Sequence, residues 1–246
     1  MIPIKSEKEI EIMAENGKIL SSILKEIREK AVMGIETQEL NKIAEVLISQ
    51  YGTPSFKGYD NFPAGLCVSI NEEIVHGTPS KRKLKEGDIV SLDIGLYRNE
   101  FHVDMATTFA IGSIPPEAQK LIQVGKKSLK RGIKKIKVGN TFGDIGNTIQ
   151  RYVEDQGFAV VRDLCGHGIG RNLHEDPQIL NYGKRHKGME IQEGMVFCLE
   201  PMVTAGSYEI ELTKDGSGYK TIDNSLSVHF EHTIAVTKNG VKILTE

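Results

Sequence analysis

Apolar residues recur near the start of the chain at alternating three- and four-residue steps, through Ile10, Met13, Gly17, Leu20, Leu24, Ile27 and Ala31. That spacing predicts a long amphipathic helix, because a repeat of about 3.6 residues per turn stacks these positions on one face. Its start is marked by Ser6 followed by Glu9, a reciprocal pair that satisfies two otherwise free N–H groups. A second helix is predicted from about Thr37, with Leu40, Ile43, Ala44 and Leu47 inward and Gly52 as its stop. The same design returns after Pro115-Pro116: a long helix, then Gly139, then a helix with Ile145, Ile149, Tyr152 and Val153 inward, ended by Gly157. Gly34, Leu40, Ala44, Leu47, Ile48 and Gly52 lie 105 residues before Gly139, Ile145, Ile149, Tyr152, Val153 and Gly157. The match predicts an internal duplication, two helices followed by strands, twice; chance alignment of two amphipathic helices is the alternative.

Between the helix pairs the period changes to two and β-branched residues dominate. Residues 66–70 read as a strand, and 89–97 with 101–111 read as a hairpin about Arg98-Asn99. With that turn, Tyr97 faces Glu100 and Asp93 lies opposite Asp104. Like charges at cross-strand spacing repel, and Asp93 stands in an otherwise apolar run, where an unpartnered carboxylate is costly. A cation between the two aspartates removes both difficulties. The alternative points one of them outward at a sheet edge.

Composition narrows the setting. The chain has 246 residues, 39% hydrophobic and 26% charged, enough to bury a sizeable core. Its three cysteines, Cys67, Cys165 and Cys198, are odd in number and far apart, which predicts a reducing compartment rather than a disulfide framework. The first residues become charged too soon for a signal peptide, and no apolar run reaches bilayer-spanning length, so a cytoplasmic protein is expected. A net charge of -2 argues against nucleic-acid binding over the whole surface, though not against a local basic patch. One such patch is predicted: Lys126, Lys127, Lys130, Arg131, Lys134 and Lys135 recur at four-residue steps along one helix face.

The candidate chemistry centres on Cys165-Gly166-His167-Gly168-Ile169-Gly170 and the following His174-Glu175-Asp176-Pro177. Three glycines that let the chain turn sharply, carrying two imidazoles, read as an active-site loop. A dinucleotide fingerprint also contains G-x-G, but it must open a helix, and Pro177 stands where that helix would run. Glu200 and Glu231 each interrupt an apolar strand pattern. Two aspartates, two glutamates and His167 suit a pair of divalent cations, with mixed oxygen and nitrogen donors favouring Mn, Fe, Co or Zn. His102, His186, His229 and His232 are expected to be ordinary surface or packing residues, and His76 is undecided on local pattern.

Asp93, Asp104, His167, Glu200 and Glu231, within the words Cys-Gly-His-Gly-Ile-Gly, Glu-Pro-Met-Val and Glu-His-Thr, resemble the type I methionine aminopeptidases over nearly the whole chain. The resemblance implies the α+β pita-bread fold, in which pseudo-two-fold duplicated helix-strand halves surround an antiparallel β-sheet holding a dinuclear metal site. It implies a single catalytic domain over 1–246, of bacterial type, cytoplasmic and monomeric, that removes the N-terminal methionine of nascent polypeptides when the second residue is small and uncharged. Asp93 then chelates one of two divalent ions, Asp104 and Glu231 bridge, and His167 and Glu200 hold the other. Glu200 is also the candidate general base, His174 and His76 bond the substrate's carbonyl and amide, and Tyr59, Phe62 and Cys67 line the methionine pocket. A nascent-chain substrate makes the basic helix face a candidate for transient ribosome contact.

Four positions depart from the usual family pattern. Val103 and Met105 flank Asp104 where the family generally has glycine and a hydroxyl residue, which predicts an altered environment for that ligand. Leu173 and Ser217 stand where aromatic pocket walls are common. Two rivals share the fold: a proline-specific aminopeptidase, which usually carries a large additional N-terminal domain, and a catalytically dead binding module, which typically loses metal ligands.

Overall fold

The structure is a computed structural model and describes residues 2–246. Helix α1 (Glu7–Lys30) begins where its cap predicts: Ser6 Oγ accepts the Glu9 N–H, and the Glu9 carboxylate accepts the Ser6 N–H in return. Ile10, Met13, Gly17, Leu20, Leu24 and Ile27 form its buried face. Helix α2 (Thr37–Ser49) buries Leu40, Ala44 and Ile48, with Ile43 and Leu47 packed at the margin. Gly52 is not its stop, because α2 ends at Ser49. Gly52 meets another need: a Cβ there would lie 2.3 Å from the Tyr97 carbonyl oxygen.

Helices α3 (Pro116–Lys135) and α4 (Phe142–Asp155) repeat the pair. The ends of α1 and α3, and the starts of α2 and α4, are each 105 residues apart. At the same offset, buried Leu40, Ala44 and Ile48 are matched by buried Ile145, Ile149 and Val153. Gly34 and Gly139 take φ of 92° and 86° in the two equivalent turns. The repeat seen in the apolar pattern is therefore a repeat of the backbone. No helix among the described residues is long and apolar enough to cross a membrane.

The first half contributes β1 (Thr53–Pro54), β2 (Leu66–Ile70), β3 (Glu73–Val75), β4 (Ile89–Arg98) and β5 (Phe101–Ala110). After α4 come β6 (Ala159–Val160), β7 (Gly166–Gly168), β8 (Glu175–Ile179), β9 (Val196–Leu199) and β10 (Met202–Thr204). The chain closes with β11 (Ile210–Leu212), β12 (Tyr219–Thr221), β13 (Ser227–His229), β14 (Glu231–Thr237) and β15 (Gly240–Ile243). One antiparallel sheet runs β1-β4-β5-β14-β9-β7-β8, with β2 added on β4 and β15 on β14. Each helix pair covers its own half. Val90, Leu92, Ile94 and Leu96 of β4 pack with α1 and α2, whereas Phe197, Leu199 and Ile234 pack with α3 and α4. Alternation along β4 then turns Ser91, Asp93 and Gly95 to the other face.

The β4-β5 register corrects the expected hairpin. The turn is Asn99-Glu100, both at positive φ (51° and 67°), and Arg98 pairs with Phe101. A two-residue hairpin turn of this kind needs positive φ at both positions, and asparagine tolerates it better than arginine. Asp93 therefore lies opposite Ala106, and Asp104 opposite Gly95. The shift preserves parity, so the aspartates still share a face, as diagonal neighbours.

Asn16, fully buried in α1, fastens this hairpin: its Nδ2 donates to the carbonyls of Arg98 at 2.7 Å and Phe101 at 3.3 Å, the two closing residues. Replacing Asn16 by leucine should cost roughly 1–3 kcal/mol, since two carbonyls lose a buried donor. A urea melt reads this as a lower midpoint at unchanged slope, and an unshifted midpoint would show that the clamp carries no stability.

Candidate active site

The acidic residues and His167 come from adjacent strands. Asp93 lies on β4, Asp104 on β5, Glu231 opens β14, Glu200 follows β9 and His167 is the middle of β7, and these strands are consecutive in the sheet. Asp93 and Glu231 both pair with Ala106, one from each side, which puts them in one row. Thr233 fixes the neighbouring row: its hydroxyl accepts the Asp104 N–H at 2.9 Å and donates to the Asp104 carbonyl at 2.7 Å. Donor atoms of Asp104, His167, Glu231 and Cys198 all lie within 4.8 Å of one another. His167 Nε2 is 3.6 Å from Glu200 Oε1.

Packing four carboxyls here raises all of them. Burial, then Glu231, Asp93 and Glu200, pushes Asp104 well above the usual carboxylate range. Burial followed by Asp93 does the same to Glu200, and burial followed by Glu200 and Asp93 to Glu231. Asp93 is raised by burial and partly relieved by His229. Oδ1 of Asp93, Oδ1 of Asp104 and Oε1 of Glu231 are buried without a hydrogen-bond partner. Such a pit is unfavourable as bare anions and suits divalent cations, which satisfy both the charge and the free lone pairs.

His167 is prepared as a neutral donor. Its Nδ1 sits 2.9 Å from the Gly168 carbonyl, which can only accept, so Nδ1 carries the proton and the Nε2 lone pair faces Glu200. Burial, and then the neighbouring His174, holds its pKa down to about 3. The glycines around it do not make the turn-rich loop expected. Gly166–Gly168 is strand β7, and none of Gly166, Gly168 and Gly170 has positive φ. They are required by close approach, since a Cβ would meet the Cys198 carbonyl oxygen at 2.3 Å from Gly166 and that of Asp176 at 2.2 Å from Gly168.

A cavity of about 850 Å³ opens over the carboxylates. Tyr59, Phe62, Cys67, His76 and His174 all line it, as do Leu173 and Ser217. His174 lies edge-on to His167, ring centres 4.3 Å apart, and its Nδ1 is 2.8 Å from the Tyr59 hydroxyl. His76 adopts φ of 57° and packs its ring edge-on against Tyr219. The Ser217 hydroxyl is hydrogen-bonded to Thr78. Met105 and Val103 point away from the site into the first core, so the departures flanking Asp104 change its packing and not the groups around its carboxylate.

Three of the histidines expected to be bland are so. His102 bonds Ser55, His186 is exposed, and His232 bonds Thr245. His229 is the exception, with a side chain only 2% exposed and Nε2 at 3.5 Å from Glu200 Oε2 and 3.9 Å from Glu231 Oε2. Neither of its ring nitrogens has a hydrogen-bond partner among the described residues. Cys198 also adjoins the site, with its Sγ among the converging donor atoms. The missed signal was period two: His229 precedes Glu231, and Cys198 precedes Glu200, by two residues.

Residues 11–238 match the model of metallopeptidase family M24. The methionine aminopeptidase of Clostridium perfringens (strain 13 / Type A) is 49% identical over 246 residues, which cover 100% of this chain and 99% of that protein. The crystal structure of methionine aminopeptidase from Rickettsia prowazekii is similar at a TM-score of 0.98 and 40% identity, with 100% of both chains covered. The prolidase of Pyrococcus horikoshii OT3 shares the fold alone, at 24% identity and a TM-score of 0.80, over 99% of this chain and 63% of that one. With strand neighbours that gather four carboxyls and an imidazole beneath one cavity, and with a full-length relative at 49% identity, the chain belongs to metallopeptidase family M24, among its methionine aminopeptidases.

Proposed function

We propose that this chain, as one catalytic domain over residues 1–246, removes the N-terminal methionine from nascent polypeptides whose second residue is small and uncharged. The carrying observation is the buried cluster of partnerless carboxylate oxygens beside a neutral imidazole at the floor of the cavity. Asp93, Asp104, His167, Glu200 and Glu231 would hold two divalent ions, Co, Mn, Fe or Zn. Such ions supply a water nucleophile at neutral pH and polarise the scissile carbonyl.

The protein groups do the rest. Glu200, which lines the cavity floor, would take the proton of the attacking water and hand it to the leaving amine. With Nδ1 occupied by the Tyr59 hydroxyl, His174 keeps Nε2 for the scissile carbonyl oxygen as charge develops there. His76, lining the same cavity, would bond the substrate amide. Tyr59, Phe62 and Cys67, which line the cavity, would surround the methionine side chain. We place the protein in the cytoplasm as a monomer, where its three free cysteines stay reduced.

Nascent chains also bring the enzyme to the ribosome. Lys126, Lys127, Lys130, Arg131 and Lys134 are exposed on α3, and among the described residues none of them forms a salt bridge, although Lys127 and Arg131 lie over the Tyr152 ring. This face is assigned to a transient contact with ribosomal RNA.

Three measurements test these assignments. Activity on Met-Ala-Ser should vanish with a chelator and return with metal, and Glu200→Gln should lower kcat by at least about a hundredfold, as loss of a general base does; chelated protein that still turns over substrate would refute the metal assignment. Ribosome binding should weaken steeply between low and moderate salt, and reversing the α3 charges to glutamate should remove it; an unchanged affinity rules this surface out. In the pocket, Ser217→Trp should raise the Met over Leu preference in kcat/KM, because each sulfur–aromatic contact contributes only ~0.3–1.5 kcal/mol and the wall here lacks one. A constant ratio would place the selectivity elsewhere.

A further inference from the structure

Lys5 is buried in the segment that leads into α1, and its Nζ donates to Glu175 Oε2 across 170 residues of chain. The two side chains are 5% and 6% exposed, so the ion pair is enclosed on both sides. Taking a lysine and a carboxylate out of water together commonly adds little stability over apolar packing of the same volume. What the pair connects therefore matters more than its strength.

Both partners are tied to the backbone around them. Lys5 donates its N–H to the Gly194 carbonyl at 2.8 Å, Gly194 donates to Val236 of β14 at 2.8 Å, and the next residue, Ser6, caps α1. Glu175 opens β8 opposite Gly168, just where the register between β7 and β8 shifts, between His167 and Gly168. Asn172 closes the loop between these strands: its carbonyl accepts the Gly170 N–H at 3.1 Å, and its N–H donates to Glu175 Oε1 at 3.1 Å. Glu175 thus divides its carboxylate, with Oε1 bracing the loop and Oε2 taking the lysine. A Cβ at Gly170 would meet Lys5 Cε at 2.5 Å and Glu175 Oε1 at 2.8 Å, so the pair packs directly on the loop backbone. Leu173 anchors the same loop in the first core. Arg171 pairs with Glu9 and Glu100 in solvent, where such contacts contribute little. His174 stands next to Glu175 in the chain, its ring edge-on to His167 and its Nδ1 2.8 Å from the Tyr59 hydroxyl.

We propose that Lys5 is a positioning residue for His174: acting through Glu175, it fixes the backbone from which that imidazole reaches the scissile carbonyl. This rests on the role given to His174 above. A shift of about 1 Å in such a group costs on the order of a hundredfold in rate. Lys5 is not among the residues that line the cavity, so its replacement leaves the substrate contacts in place.

The test is a mutant cycle read on kcat. Lys5→Met, similar in length and uncharged, should lower kcat on Met-Ala-Ser roughly ten- to a hundredfold with KM within about twofold. In a His174→Ala background the same change should cost less than about twofold, because the group it orients is gone. Equal losses in the two backgrounds, a loss confined to KM, or a kcat within about twofold of the unmutated chain would overturn the proposal. If Lys5→Met does not fold, Lys5→Met/Glu175→Leu leaves no buried charge unpaired and should show the same cycle. A second readout needs no turnover: with the histidines labelled with spin-half nitrogen, the His174 ring resonance, identified by its absence in His174→Ala, should move or broaden when Lys5 is replaced. An unchanged resonance counts against the proposal. If the unmutated chain does not cleave Met-Ala-Ser, the proposed function fails, and the ring resonance alone decides whether Lys5 orients His174.

Discussion

Four carboxyl groups occupy one buried pit, and the rest of the molecule is arranged to make that tolerable. Asp93, Asp104, Glu200 and Glu231 are each less than a tenth exposed, and each is pushed toward its protonated form by burial. A flexible scaffold would relax by turning one of them outward. This one cannot, because each carboxyl stands on or beside a strand whose neighbours are hydrogen-bonded to it and whose far face is packed by helices. Duplication of the helix pair supplies that backing from both halves.

How much of this was legible in the sequence depended on whether the physical cause was local. Helices α1 to α4 were readable because their apolar period and caps are written in neighbouring residues, and the offset of 105 residues exposed the repeat. The sharing of a face by Asp93 and Asp104 survived a wrong turn assignment only because the true turn lies one residue further along each strand, which leaves the period-two parity intact. The five proposed ligands stand out locally, as carboxylates that interrupt apolar strands and an imidazole among glycines, and the family resemblance adds their separate roles; strand order, which no local pattern encodes, is what brings them together. His229 is hard to read for the same reason: its neighbours come from separate strands, and within its own segment only its place two residues before Glu231 marks it.

Contacts distant in sequence also explain the glycines. Gly166, Gly168 and Gly170 looked like turn residues, yet they are places where another part of the chain passes too near for a Cβ. At Gly170 the neighbours are the Lys5 side chain and the Glu175 carboxylate, which form a buried ion pair. Glu175 also accepts the Asn172 N–H, and Lys5 donates its own backbone N–H to Gly194. The segment carrying His174 is thereby fastened to the start of the chain by a pair that would leave an uncompensated buried charge if either partner were lost. His174 itself is exposed and lines the cavity, next to this buried pair in the chain.

Proton linkage joins the pit to stability. A carboxyl whose pKa is higher folded than unfolded binds more protons in the native state across the interval between the two values. Its contribution to stability is therefore fully present below the unfolded pKa and is lost as pH rises through the folded one. All four pit carboxyls are shifted in this direction, so without a cation they favour the folded state least at pH above their raised folded values. Divalent ions bind the deprotonated forms and release protons in doing so, which moves the balance the other way over the same interval. The burial that makes this pit unfavourable as bare anions is thus also what makes it suited to multiply charged cations, and the neutral His167 imidazole beside Glu200 adds a donor without adding further repulsion.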